Sequence, residues 1–347
     1  MRRVTTAAMI GVALLLAACS SSSSSSTTSS DATANSAASA ASVTVRLGFL
    51  TNITHASALV GLKEGFFTKD LGSAGTLKAT AFSTGTEETT ALLAGQLDAA
   101  YVGPNPAINA WQKSNGTAIK IISGAATGGA SIVVTKGISS ASQLKGKTLA
   151  TPSLGNTQDV ALRYWLKQNG LATTSTGGGD AFIKPTTPNS AAVLEFKSGQ
   201  IAGGSEPAPY DIEMVKDGGT VLLSESGVTT LLVVTQSFLS AHPAIVADLV
   251  KAQIQANDFI KSSPAAAQAD ANAELASYTS KPLKPSIVAA AFKEITFTND
   301  PDASSLTSDA SQAQSLGLLK PVNLSGIFDL GPLNTALAAA GESQVSS

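Results

Sequence analysis

From Val43 onward the chain repeats one unit: a short run of β-branched and apolar residues, a loop rich in Ser, Thr, Asn, Gly or Pro, and a longer helical stretch. A strand can join a parallel neighbour only through a long crossover, for which a helix is the usual solution. The pattern therefore predicts α/β architecture, with parallel sheets covered by helices on both faces. Val43–Leu50 alternates as a strand and leads into a helix over His55–Glu64 that stops at Gly65. Leu77–Phe82 pairs with a helix over Glu87–Ala94, Asp98–Val102 with one over Ala107–Lys113, and Ile119–Ser123 closes the series. A second series has strands at Ser131–Thr135, Thr148–Ala150 and Ala181–Ile183, and helices over Asp159–Asn169, Ala191–Ser198 and Tyr210–Lys216. Val228–Thr235 reads as a returning strand. Helices follow over Ala244–Ser262, Ala265–Ser277, Ile287–Glu294 and Leu306–Gln314. Two such series imply two lobes between which the chain passes twice.

The residues ahead of Val43 carry a different signal. Arg2 and Arg3 precede an apolar run from Ala7 to Ala18, and Leu16-Ala17-Ala18-Cys19 ends it with two small residues before a cysteine. This is the order of a secretory signal, and the run is too short for a permanent bilayer span. It resembles a bacterial lipobox, so residues 1–18 are expected to be a signal peptide and Cys19 a lipidation site. A plain secretory signal with an incidental cysteine is the alternative. Ser20 to Ser42 is nearly all Ser, Thr and Ala, too poor in apolar surface to offset its ordering entropy, and residues 19–42 read as a tether. The expected location is extracytoplasmic, with a lipid anchor at a membrane's outer face.

What remains is long enough for two lobes and a sizeable core. The formal net charge of −2, more negative without Arg2 and Arg3, argues against a nucleic-acid partner. Cys19 is the single cysteine, so no intrachain disulfide is available, and His55 and His242 are the only histidines. Neither a metal nor a cofactor is expected.

The chemistry-bearing residues sit where strands pass into helices. Thr51–Thr54, Ser83–Thr86 and Gly103–Pro106 precede the first three helices, with Asn105 placed as N-cap and Pro106 at the first helical position. Ser153–Thr157 and Pro188-Asn189-Ser190 take the same place in the second series. Each offers backbone N–H groups, hydroxyls or an amide at the positive end of a helix dipole, a means of holding a small anion without a formal positive charge. In open α/β sheets these loops also lie at the carboxyl ends of strands, where ligands bind.

Taken in order, Gly61-Leu-Lys-Glu-Gly-Phe-Phe67, Ala91-Leu-Leu-Ala-Gly-Gln-Leu-Asp98 and Val102-Gly-Pro-Asn-Pro106 resemble the solute-binding proteins of nitrate, sulfonate and taurine ABC transporters. Leu144–Ala150, Gly155-Asn-Thr157, Glu206-Pro207 and Phe238–Pro243 extend the resemblance, which covers roughly 43–264. It implies a type II periplasmic-binding-protein fold, two α/β lobes joined by a two-strand hinge. The first lobe would take residues 43–125 and 227–340, the second 126–226. It implies a monomer that closes on a small anionic solute and delivers it to ABC permease subunits. The family's binding loops carry over onto Asn52 and Thr54; Thr84, Gly85 and Thr86; Gly103 and Asn105; Gly155, Asn156 and Thr157; and Glu206. The second-lobe loops hold no histidine or lysine to pair with an inorganic oxyanion. That shifts the expectation from nitrate and bicarbonate to an alkanesulfonate or taurine-type solute.

Other residues admit two roles. His55 could donate to an anion or simply occupy the first helical turn. Asp159 and Arg163, four apart, read as an exposed ion pair. Glu206 could cap a helix or meet a ligand ammonium. Trp111 and Trp165 lie inside helical runs and read as packing, while Tyr101 and Tyr210 border the loops. Alternative functions are binding of a pyrimidine- or riboflavin-type heterocycle, a divergent biosynthetic enzyme of the same fold, or an adhesion module. The sequence holds no Ser-His-Asp set or dinucleotide glycine fingerprint to favour the enzyme.

Overall fold

The computed structural model describes residues 42–347; Cys19, the signal and the tether lie outside the described residues. The chain runs β1 Val43–Leu50, α1 Ala56–Lys63, α2 Phe66–Leu71, β2 Gly75–Phe82, α3 Gly85–Leu93, β3 Ala99–Val102, α4 Pro104–Lys113 and β4 Ile119–Gly128. It continues through β5 Ala130–Val134, β6 Thr148–Thr151, α5 Thr157–Gln168, β7 Phe182–Pro185, α6 Asn189–Lys197, β8 Gly203–Pro207, α7 Tyr210–Lys216 and β9 Thr220–Ser224. After β10 Val228–Thr235 come α8 Gln236–Ala241, α9 Pro243–Ser262, α10 Pro264–Thr279, α11 Pro285–Glu294, β11 Ile295–Phe297, α12 Ala303–Ser315 and α13 Gly331–Ala339.

Two sheets result. The first, of six strands, has the order β11-β4-β10-β3-β1-β2, and the second, of five, has β7-β6-β8-β5-β9. Each is flanked by helices, giving the expected two α/β lobes. The sheets are mixed rather than parallel throughout. β1 pairs in parallel with β2 and β3, and β6 with β7 and β8, but β10 is antiparallel to β3 and β4, and β5 to β8 and β9. The reversals fall where the chain changes sheet, because β10 re-enters the first sheet from the end by which β4 left it.

The two passages lie side by side. Only Gly129 separates β4 from β5, and Glu225 to Gly227 separate β9 from β10. The Gly128 N–H donates to the Gly227 carbonyl at 2.9 Å and the Glu225 N–H to the Ala130 carbonyl at 2.8 Å, so the passages form a two-strand hinge. Gly128 and Gly129 both adopt φ near +70° (70° and 73°), and a Cβ on Gly129 would stand 2.3 Å from Ile295. Glycine is therefore required there.

The first sheet carries a core on each face. Val45, Leu47 and Phe49 of β1 pack with α1, α9 and α10 on one side, while Ala100 and Val102 of β3 pack with α4 and α12 on the other. The second sheet is enclosed similarly, by Leu144, Leu162 and Leu166 on one side and Val193, Phe196 and Met214 on the other. Beneath the first sheet a buried polar chain runs from Tyr101 Oη to Gln253 Oε1 (2.6 Å). It continues from Gln253 Nε2 to Asn299 Oδ1, which also accepts from Asn257 Nδ2 (2.8 Å), and Asn257 Oδ1 accepts from Ser57 Oγ (2.6 Å). Every amide in it is paired, so it ties α9 and the segment after β11 to the sheet at little desolvation cost. Among the described residues no helix is long and apolar enough to cross a membrane.

Candidate functional site

A cavity lies between the sheets. Its walls are the connections that leave the carboxyl ends of six strands: β1, β2 and β3 of the first sheet, and β6, β7 and β8 of the second. From the first sheet come Leu50, Asn52, Thr54 and His55, then Ser83, Thr84 and Gly85, then Gly103 and Pro106, with Thr229 of β10. From the second come Pro152, Asn156, Thr157 and Gln158, with Asn189 and Pro207. Seven of the expected residues are thus brought together: Asn52, Thr54, Thr84, Gly85, Gly103, Asn156 and Thr157. Thr86, Asn105, Gly155 and Glu206 fall outside the lining.

Helix starts dominate this cavity. Thr84 caps α3, its Oγ1 accepting from the Glu87 N–H at 3.2 Å, and Asn156 caps α5, its Oδ1 accepting from the Asp159 N–H at 2.9 Å. Asn52 caps a 3₁₀ turn, Ile53–His55, accepting from the Thr54 N–H (3.0 Å) and hydroxyl (2.7 Å). Gly103 stands at the cap of α4, and Asn189 is the first residue of α6. Four helices of eight residues or more therefore begin at the cavity, each bringing the positive end of its dipole, although α4, with Pro104 and Pro106, keeps only the Asn105 N–H ahead of Ala107.

Asn105 is not the N-cap. Pro104, rather than Pro106, takes the first helical position, which moves the cap back to Gly103. The Asn105 side chain turns from the cavity, its Nδ2 donating to the Asp309 carbonyl at 3.4 Å. Thr86 and Gly155 stand at the rim. Thr86 Oγ1 meets Ser153 Oγ at 3.1 Å and the Gly155 carbonyl accepts from Asn109 Nδ2 at 3.3 Å, both joining a helix that follows a first-sheet strand to the β6–α5 loop.

His55 is buried in the 3₁₀ turn before α1, and its Nδ1 accepts from the Leu50 N–H at 3.2 Å. The ring proton must then sit on Nε2. Burial lowers the pKa to about 3, so the ring is a neutral Nε2–H donor at physiological pH. The lining contains no lysine, arginine, aspartate or glutamate. Glu206 is fully buried in β8 beside Pro207, in register with Ser131, and caps no helix. Neither carboxyl oxygen has a hydrogen-bond partner, and desolvation, reinforced by neighbouring Asp211, holds its pKa well above the usual range.

The Asp159–Arg163 pair is buried, not exposed as its spacing suggested. Arg163 is 1% accessible and Asp159 0%. Arg163 Nε donates to Asp159 Oδ2 at 2.8 Å, an oxygen that also accepts from the Gly155 N–H at 2.8 Å, while Thr151 Oγ1 donates to Oδ1 at 3.1 Å. This pair braces the loop that opens α5 and does not reach the cavity as an anion clamp. Tyr101 is core; Tyr210 borders the first loop, its hydroxyl donating to the Thr51 carbonyl at 2.9 Å. Gln158 was not among the expected residues. It lies within α5, where one polar helical residue looks like any other, yet it lines the cavity, its Oε1 accepting from Asn156 Nδ2 at 3.0 Å.

A model of the NMT1-like family matches residues 38–277. No curated protein matches the sequence. Among solved structures, the alkanesulfonate-binding protein SsuA from Xanthomonas axonopodis pv. citri, bound to MOPS, superposes with a TM-score of 0.69 at 16% identity, covering 83% of this chain and 98% of its own. The periplasmic nitrate-binding protein NrtA from Synechocystis PCC 6803 gives 0.70 at 16% identity over 86% and 89%. The ligand-binding component of an ABC-type import system from Staphylococcus aureus gives 0.68 at 14% identity over 85% and 99%. At these identities the likeness is one of fold, that of periplasmic binding proteins.

Proposed function

Because the chain belongs to the NMT1-like family, we propose that it is the solute-binding component of an ABC importer and captures a small organic oxyanion of the alkanesulfonate type. One observation carries this reading: helix starts from both sheets converge on a cavity without an ionised side chain. Such a site stabilises negative charge by dipoles and N–H donors, and offers a cation no carboxylate. Asn52, His55, Thr84, Asn156, Thr157 and Gln158 would supply the side-chain donors. The protein would work as two lobes, divided as expected except that the first boundary moves from residue 125 to 128, because β4 stays in the first sheet as far as Gly128. These would close about the hinge at Gly129, with Thr86 and Gly155 acting at the rim. Binding is favoured over turnover because the one titratable side chain in the lining, His55, is too weak a base at its lowered pKa. In this reading Cys19 carries the lipid anchor, the lobes lie outside the cytoplasm, and the closed form docks on the permease.

A thermal-shift series tests this. Ethanesulfonate should raise the unfolding temperature in a concentration-dependent way, while ethylammonium should not. A response to the cation alone, or to neither, contradicts the reading.

A further inference from the structure

The four side-chain amides at the cavity are not equivalent. Asn52 Oδ1 is taken by Thr54, Asn156 Oδ1 by the Asp159 N–H, and Gln158 Oε1 by Asn156 Nδ2. Each of these oxygens already accepts within the protein, Asn52 Oδ1 twice over, so these three amides meet a ligand first through their N–H groups. Asn189 is different. It is 5% accessible, opens α6 on the second sheet's side, and its Oδ1 is buried with no hydrogen-bond partner. Pro188 occupies the cap position, so the Asn189 side chain is not engaged in capping the helix. An unpaired buried amide oxygen costs free energy until something donates to it.

We propose that Asn189 is a specificity-determining residue: it accepts a hydrogen bond from a hydroxyl on the solute, whose oxyanion is held by those N–H donors. The inference rests on the oxyanion reading above and narrows it to hydroxylated small sulfonates. A hydroxyl suits this position better than an ammonium. It needs one acceptor and carries no charge to desolvate, and the lining has no carboxylate to pair with a cation. A plain alkyl group leaves Oδ1 unpaired.

Calorimetric titration with ethanesulfonate and 2-hydroxyethanesulfonate, which differ only by the hydroxyl, tests this. The hydroxylated probe should bind roughly fivefold to tenfold more tightly to the wild type, the value of one neutral hydrogen bond. In Asn189→Ala that ratio should collapse to near one, whatever happens to the two affinities together. Asn189→Ser provides the same comparison should the alanine variant fold poorly by circular dichroism. Equal binding of both probes by the wild type, or a ratio that survives in the variants, overturns the role of Asn189 and leaves the oxyanion reading standing. Binding of neither probe overturns both.

Discussion

Thr86 and Ser153 meet hydroxyl to hydroxyl at 3.1 Å, one following a strand of the first sheet and the other a strand of the second. Together with Asn109 and the Gly155 carbonyl they join the two sides of the cleft outside the cavity. Each contact is partly exposed and worth about 1 kcal/mol or less. Thr86→Ala and Asn109→Ala should therefore accelerate solute release twofold to fivefold with little change in capture rate, read by stopped-flow displacement. Unchanged release rates would show that these contacts do not hold the cleft shut.

Gly103 marks how closely the sides approach. A Cβ there would stand 2.6 Å from Thr157 Oγ1, although the backbone itself is ordinary, with φ −69°. Gly103→Val should consequently fold normally but bind at least tenfold more weakly, because the larger side chain props the cleft open. Calorimetry with ethanesulfonate and a melting curve separate this from simple destabilisation.

Arg163 is a structural bet of another kind. Removing it leaves Asp159 charged and buried, a circumstance that costs about 3–5 kcal/mol. Arg163→Met should show that loss in urea denaturation. Asp159→Asn combined with Arg163→Met should recover part of it, since the buried charge disappears. A loss below about 1 kcal/mol would mean that Asp159 is satisfied by Thr151 and the Gly155 N–H alone.

Two pH dependences should diverge. No lining group changes charge between pH 5 and 8.5, so affinity for ethanesulfonate should stay flat across that window. Stability should not. The pKa of His55 falls from 6.5 to about 3 on folding, so as pH drops below 6.5 the unfolded chain takes up a proton that the folded chain refuses. That contribution is fully present above pH 6.5 and fades towards pH 3, by at most about 1.4 kcal/mol per pH unit. Urea denaturation from pH 4 to 7 should show this slope reduced in His55→Gln. A slope unaltered by the substitution assigns it to other groups.

Much of the architecture was legible from local pattern. Val228–Thr235 and Tyr210–Lys216 have the expected bounds, and helix starts stood out because Ser, Thr and Asn precede them. β8 was not legible: Gly203-Gly-Ser-Glu-Pro207 contains no β-branched residue. It is a central strand because glycine there admits close neighbours, a Cβ on Gly204 falling 2.6 Å from the Ala150 carbonyl. Strand direction also escaped, since the reversal at β10 comes from the chain changing sheets, which no window of sequence records. At the site, loop chemistry located Asn52, Thr84 and Asn156. What it could not see was which face each loop turns inward. Hence Asn105 and Thr86 were expected in the cavity and Gln158 was not. Burial of Arg163 was equally invisible, because an i, i+4 pair looks the same on a solvated helix as beneath one.

The path between the sheets has a consequence for the order in which the molecule can be assembled. β5 to β9 form one uninterrupted stretch of chain, whereas the first sheet receives β10, which pairs with both β3 and β4, only after that stretch is complete. A chain emerging from its amino end can thus finish the inner unit while the outer one still has a gap at its centre. During that interval the apolar edges of β3 and β4 are unpartnered. Each molecule is therefore exposed to misassociation for as long as it takes to supply β10.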